Sequence, residues 1–147
     1  MDRLSEEVLD ADTCRNLLAT LSVGRIAVSV VGWPPVIRPV SYAYDESSRS
    51  IVFRSGRGSK LTALLLSGHA AFEVDSVDEI TGLAWSVIAQ GRTEEITDPS
   101  ELVRIERLGV QRWAPGDKPH WLRIRPEVIS GRSLRRSVPR ESPPMVP

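Results

Sequence analysis

Apolar residues fall at Cys14, Leu17, Leu18 and Leu21, the i, i+3, i+4, i+7 spacing of one helix face, with polar residues between them. Asp12 or Thr13 offers a capping oxygen, Gly24 marks the end, and everything before this helix reads as a polar start. A period of two then takes over. "RIAVSVV" and "VIRPVSYAY" are β-branched and alternate, with the turn cluster "GWPP" between them, so they predict two antiparallel strands in a hairpin. "SIVFRS" predicts a third strand. In "SKLTALLLS" the helical spacing returns at Leu61, Leu64 and Leu65, with Gly68 as the stop. "AAFEVD" predicts a fourth strand, "SVDEITGL" a loop, and "AWSVIAQGRTEEI" a long fifth strand with a bulge or bend at Gly91. "DPSELVRIERLGV" opens with Asp98 as cap and Pro99 at the first helical position, which predicts a third helix. "HWLRIRPEVIS" predicts a sixth strand.

Six antiparallel-type strands, the longest too apolar to be left as open edges, imply a mainly β fold. The expected architecture is a six-stranded antiparallel barrel, closed or split, with peripheral helices; an open α+β sheet is the alternative. A chain of 147 residues suits one domain, expected at residues 1–132, followed by a flexible Arg- and Pro-rich tail at residues 133–147. Nineteen basic and nineteen acidic side chains cancel, so no global field draws the chain to nucleic acid or an acidic membrane, and an anion site must be local. No apolar run approaches the ~20 residues of a membrane span, and a cytoplasmic protein without membrane partners is expected. A single cysteine excludes an internal disulfide framework, and with two scattered histidines it offers no metal-ligand spacing.

The local site is "FRSGRGSKL", residues 53–61, where a strand ends and a helix begins. Gly56 and Gly58 let the backbone approach a ligand closely, Ser59 offers a hydroxyl, and Arg54, Arg57 and Lys60 supply three cations. A helix N-terminus adds unpaired N–H groups and about half a positive charge, so the segment suits a phosphate monoester. The alternative is a glycine-rich turn with solvated cations. Neither the triphosphate loop nor the dinucleotide fingerprint matches, since Leu61 stands where a hydroxyl residue or a third glycine is required. Arg38 precedes Pro39, which cannot donate to a ladder, so that strand is expected to be broken or at an edge beside a ligand.

With "GRIAVSV", "VIRPVSYAYD", "IVFRSGRGSKLTALL", "AAFEVD", "WSVIAQGR" and "LRIRPEVISGR" in this order, residues 18–132 resemble the pyridoxamine 5'-phosphate oxidase-like flavoproteins with the split β-barrel fold. The closest likeness is to the small branch that includes the nitroimidazole-resistance proteins. The resemblance implies FMN in a groove at a homodimer interface. It implies that Arg38, Pro39 and Val40 line the flavin, that Phe53, Arg54 and Ser55 continue the wall, and that Ser59 and Lys60 hold the phosphate. Trp85, Ser86 and Gln90 would face the flavin from the second subunit. The chain lacks the second arginine–lysine cluster and the C-terminal substrate-phosphate residues of the enzyme that names the family, so oxidation of pyridoxamine phosphate is not expected.

The function implied is an FMN-dependent oxidoreductase passing hydride or electrons to a small organic substrate. Its rival is a non-catalytic module binding flavin or another phosphorylated ligand. The same fold also hosts the 8-hydroxy-5-deazaflavin cofactor, whose polyanionic tail would draw on Arg57, Arg123 and Arg125 beside Arg54 and Lys60. FMN is preferred because a serine–lysine pair after two glycines suits a terminal phosphate. No catalytic residue is assigned, to His69 or His120 least of all. Cys14 reads as core, and Glu73, Asp75, Asp78 and Glu79 as a solvated acidic patch. The arginines of the tail suggest a nucleic-acid arm only weakly, given zero net charge and no interleaved aromatics.

Overall fold

The computed structural model describes residues 3–56, 60–66, 68–111, 116, 118–137 and 145, and of Lys60 the backbone only. Its elements are β1 (Leu4–Leu9), α1 (Ala11–Leu18), β2 (Val23–Val28), β3 (Val36–Asp45), β4 (Ser50–Ser55), α2 (Lys60–Leu65), β5 (His69–Asp78), β6 (Leu83–Glu95), α3 (Pro99–Glu106) and β7 (His120–Arg136). The strands are ordered β1-β7-β4-β3-β2-β5-β6, and β6 pairs back onto β7. Every pairing is antiparallel, so six strands close into a barrel and β1 lies outside the ring. The barrel expectation holds and the open sheet does not.

The closing seam is the β6–β7 ladder, from Leu83↔Arg135 to Glu95↔Leu122, with a register shift between Gln90 and Gly91. A Cβ on Gly91 would lie 1.8 Å from the carbonyl oxygen of Arg125, so only glycine lets the two backbones cross there. The expected bulge is in place.

Four expectations change. The polar start contains β1, whose side chains are mostly exposed and which forms by pairing with β7 rather than by burial. The tail does not begin at residue 133: β7 continues to Arg136 because β6 and β1 occupy its two edges. Residues 138–144, 146 and 147 lie outside the described residues. Helix α1 is capped by Asp10, which accepts from the Thr13 N–H at 2.8 Å, and it ends at Leu18; Gly24 sits inside β2, where a Cβ would collide with the Phe72 ring. The "SVDEITGL" loop is shorter than expected, since β5 runs on to Asp78 and β6 starts at Leu83, joined by a tight turn where Asp78 accepts from the N–H groups of Ile80 and Thr81.

Alternation fills the barrel with Ile26, Phe53, Phe72, Val87, Leu122 and Ile124, covered by Cys14 and Leu18 of α1 and Leu65 of α2. Tyr42 ties α1 down by donating to the Leu18 carbonyl at 2.5 Å. A second, smaller cluster of Val52, Ile96, Ile105 and Trp121 lies outside the barrel under α3. That helix is fastened by Arg104 to Asp45, by Glu101 to Arg123, and by Glu106 to the Trp121 indole N–H at 3.1 Å. Among the described residues no helix is long and apolar enough to cross a membrane.

Candidate functional site

Strand β3 changes partners in its middle. Residues Val36 to Ser41 pair with β2, whereas Tyr42 to Asp45 pair with β4. Beyond Tyr42↔Phe53 the two strands part, and Arg54 and Ser55 are paired only with Trp121 and His120 of β7. The barrel is therefore split between the first half of β3 and the end of β4, and α2 stands across the opening. A cleft of about 100 Å³ there is lined by Val30, Trp33 and Pro34 of the β2–β3 connection, by Arg38, and by Leu61 and Leu64 of α2. The sequence break at Arg38–Pro39 marks this edge, as the missing N–H of proline requires.

Side-chain direction sorts the sequence-predicted residues, because neighbours on a strand face opposite ways. Arg38 and Val40 share a face with Tyr42, whose side chain is in the barrel core, so Arg38 sits at the mouth of the split; its Nη1 donates to the Ile37 carbonyl at 2.9 Å. Pro39 faces the other way. Phe53 points its side chain into the core, where it is fully buried, so any part it takes in the wall is through its backbone. Ser55 follows it inward, buried, with its hydroxyl 2.5 Å from that of Thr62 on α2; Thr62 in turn donates to the Gly56 carbonyl at 3.2 Å. These bonds fix both ends of the loop across residues 56–60. Ser59, Arg57 and the Lys60 side chain lie outside the described residues. Helix α2 spans six residues, too few for a substantial dipole, so side chains must carry any charge complementarity.

Arg54 leaves the sheet on the face opposite Ser55. Its Nε donates to the Lys118 carbonyl at 2.9 Å, and its guanidinium lies over the Trp121 ring, 5.0 Å from the centroid. Sequence reasoning missed Thr62 and Trp121. Only pairing register and the docking of α2 bring them to this place.

Trp85 and Ser86 are not beside this opening. On β6 they pair with Ser133 and Arg132, whereas Phe53 neighbours Leu122, which pairs with Glu95, roughly 30 Å of strand away at ~3.3 Å per residue. They also face opposite ways: Trp85 packs against the barrel core and Ser86 lies on the other face.

Two of the cations expected to serve a polyanionic tail, Arg123 and Arg125, are engaged elsewhere. Arg123 is 2% exposed and held by Glu101 and Glu94, and Arg125 donates to Glu94 at 2.6 Å. Within the acidic patch Arg25 bridges Glu73 and Asp75. His69 lies 3.3 Å from Glu127, and His120 2.6 Å from Glu95. Cys14 is core as expected, and burial pushes its thiol pKa up. No cluster of three metal-ligating side chains occurs among the described residues.

The family model described as pyridoxamine 5'-phosphate oxidase matches residues 10–133, and the chain belongs to that family. The solved structure of an FAD-binding protein from Mycobacterium smegmatis is 29% identical with a TM-score of 0.76, covering 87% of this chain and 98% of that one. An FAD-binding protein from Mesorhizobium loti is 27% identical with a TM-score of 0.72, covering 87% and 97%. A protein from Bacteroides thetaiotaomicron, assigned to 5-nitroimidazole antibiotic resistance, shares the fold at 13% identity and a TM-score of 0.70, covering 92% and 93%.

Proposed function

We propose, from the premise of membership in the pyridoxamine 5'-phosphate oxidase family, that this chain binds a flavin nucleotide by its phosphate. The observation that carries the reading is the split between β3 and β4, where Arg38 and a loop stapled by Ser55 and Thr62 flank one opening. A part-buried hydroxyl pair at the strand end, with Arg38 across the opening, suits a phosphate, which wants several donors and positive charge. In this reading Ser59 and Lys60 hold the phosphate, Arg38 and Val40 line the ring with their side chains, and Pro39 lines it through its backbone. Phe53 contributes packing behind Ser55.

A bound flavin supplies hydride and electron transfer itself; the chain's residues bind it, orient it and keep water out. The protein is then a cytoplasmic oxidoreductase for a small organic substrate, with a flavin-binding module without turnover as its alternative. FMN is the cofactor preferred here, because one phosphate satisfies the serine–lysine pair. FAD is the second reading, favoured by the two relatives that bind it. The deazaflavin reading loses support, since Arg123 and Arg125 already have carboxylate partners.

Titration of the stripped protein with FMN, FAD and the deazaflavin, followed by flavin fluorescence, tests this. Saturable binding of FMN, with riboflavin much weaker, is the expected result. Absence of binding to any flavin, or deazaflavin binding tightest and falling steeply with salt, overturns it.

A further inference from the structure

We propose that Trp121 is a positioning residue for Arg54, and that Glu106 of α3 fixes Trp121 in that role. The inference rests on the flavin-phosphate reading and extends it to the outer face of the barrel. Arg54 and Ser55 are neighbours on β4 but face opposite ways, so the loop beginning at Gly56 is flanked by a hydroxyl on one face and a cation on the other. A free arginine side chain samples many rotamers and loses that freedom when it binds an anion. Here the loss is taken before any ligand arrives. The guanidinium lies over the Trp121 ring at 5.0 Å, and its Nε is committed to the Lys118 carbonyl at 2.9 Å. Its two terminal amino groups make no hydrogen bond among the described residues and remain as a two-donor fork for an oxyanion.

The ring is itself held. Trp121 is 5% exposed, packed with Val52, Ile96 and Ile105, and its indole N–H donates to Glu106 Oε1 at 3.1 Å. Burial strengthens the cation–ring attraction by removing competing water. The path from α3 to the anion is thus Glu106 to Trp121 to Arg54, each step a contact in hand.

The test compares FMN with riboflavin, which lacks the phosphate, for Arg54→Met, Trp121→Leu, Trp121→Phe and Glu106→Ala, each followed by flavin fluorescence. Glu106 is exposed, so its replacement leaves the fold intact if a core substitution at Trp121 does not. Trp121→Leu should weaken FMN about ten-fold with riboflavin unchanged, Trp121→Phe should restore most of that loss, and Glu106→Ala should weaken FMN about two- to three-fold. Adding Trp121→Leu to Arg54→Met should cost nothing further, because the two act through one cation. Equal losses for both ligands, or no loss in Glu106→Ala and Trp121→Leu, overturn the inference. If Lys60→Met weakens FMN selectively while Arg54→Met does not, the inference fails and the flavin reading survives. If the parent protein binds no flavin, the reading itself fails.

Discussion

Asp45 is almost fully buried, yet it is placed to stay charged. Burial alone would raise its pKa, but the hydrogen bond and charge of Arg104, with a further bond from Ser48, outweigh that and hold the carboxyl below its ordinary value. A carboxyl whose pKa is lower in the folded than in the unfolded chain stabilises the fold above the unfolded value, and that contribution disappears as pH falls through the folded value. Asp45→Asn should therefore destabilise the protein by about 2 kcal/mol at neutral pH, with the gap closing below about pH 4. Urea unfolding of both proteins at pH 7 and pH 3 measures it, and a difference that does not change with pH contradicts the assignment. Single residues were legible from sequence where local context decides: Cys14 on the apolar face of α1, the cap at Asp98, and the strand edge at Pro39. They were not legible where the partner is remote. Nothing near Arg123 in the chain announces Glu94 and Glu101, and the opposite facing of Arg54 and Ser55 acquires meaning only once Trp121 and Thr62 are in place.

Elements that bury a stripe of apolar residues announce themselves; elements that exist by pairing do not. Helix α3 follows directly from Asp98, Pro99 and its apolar spacing, and β6 with its bulge follows from its length and Gly91. Strand β1, with two glutamates and little burial, has no such signal, and together with β6 it holds the far end of β7 in strand. Gly91→Ala should destabilise by about 3 kcal/mol or prevent folding, since the new methyl meets backbone and not a yielding side chain. Expression and thermal unfolding decide that, and a variant with unchanged melting temperature would show that the seam can shift. The attachment of α3 is open to a sharper test. Arg123 is buried with Nε and Nη1 lacking hydrogen-bond partners among the described residues, so its charge depends on Glu101 and Glu94 for compensation. Removing a partner strands a buried charge, whereas removing the charge itself does not. Glu101→Ala should accordingly cost more stability than Arg123→Met, by about 1–3 kcal/mol in denaturant unfolding. The reverse order would mean that Glu94 alone suffices.

The whole molecule leaves apolar surface that the barrel has no means of covering. Leu4, Val77, Leu83 and Leu134 are exposed around a groove of about 480 Å³ at the β1, β6 and β7 ends, and Glu6, Asp78 and Glu79 stand against Arg135 and Arg136 on its rim. Apolar walls with both signs of charge suit a self-complementary contact across a two-fold axis. A second copy is also what the site lacks if Ser86 or Trp85 is to meet the flavin, since within one chain they lie far along β6 from the split. Of the two, Ser86 is presented outward and Trp85 packs on the barrel core, so a partner's flavin would meet the Ser86 face, with Ile88 and Gln90 beside it. The chain should therefore sediment at twice its mass of 16.3 kDa at micromolar concentration. Leu134→Glu, which places an unpaired charge in the groove, should shift it to the monomer, and flavin affinity should fall in step if the partner's Ser86 face completes the site. Retention of parental flavin affinity by a folded monomer would separate the two claims, leaving one chain sufficient for binding and Ser86 without a role in it.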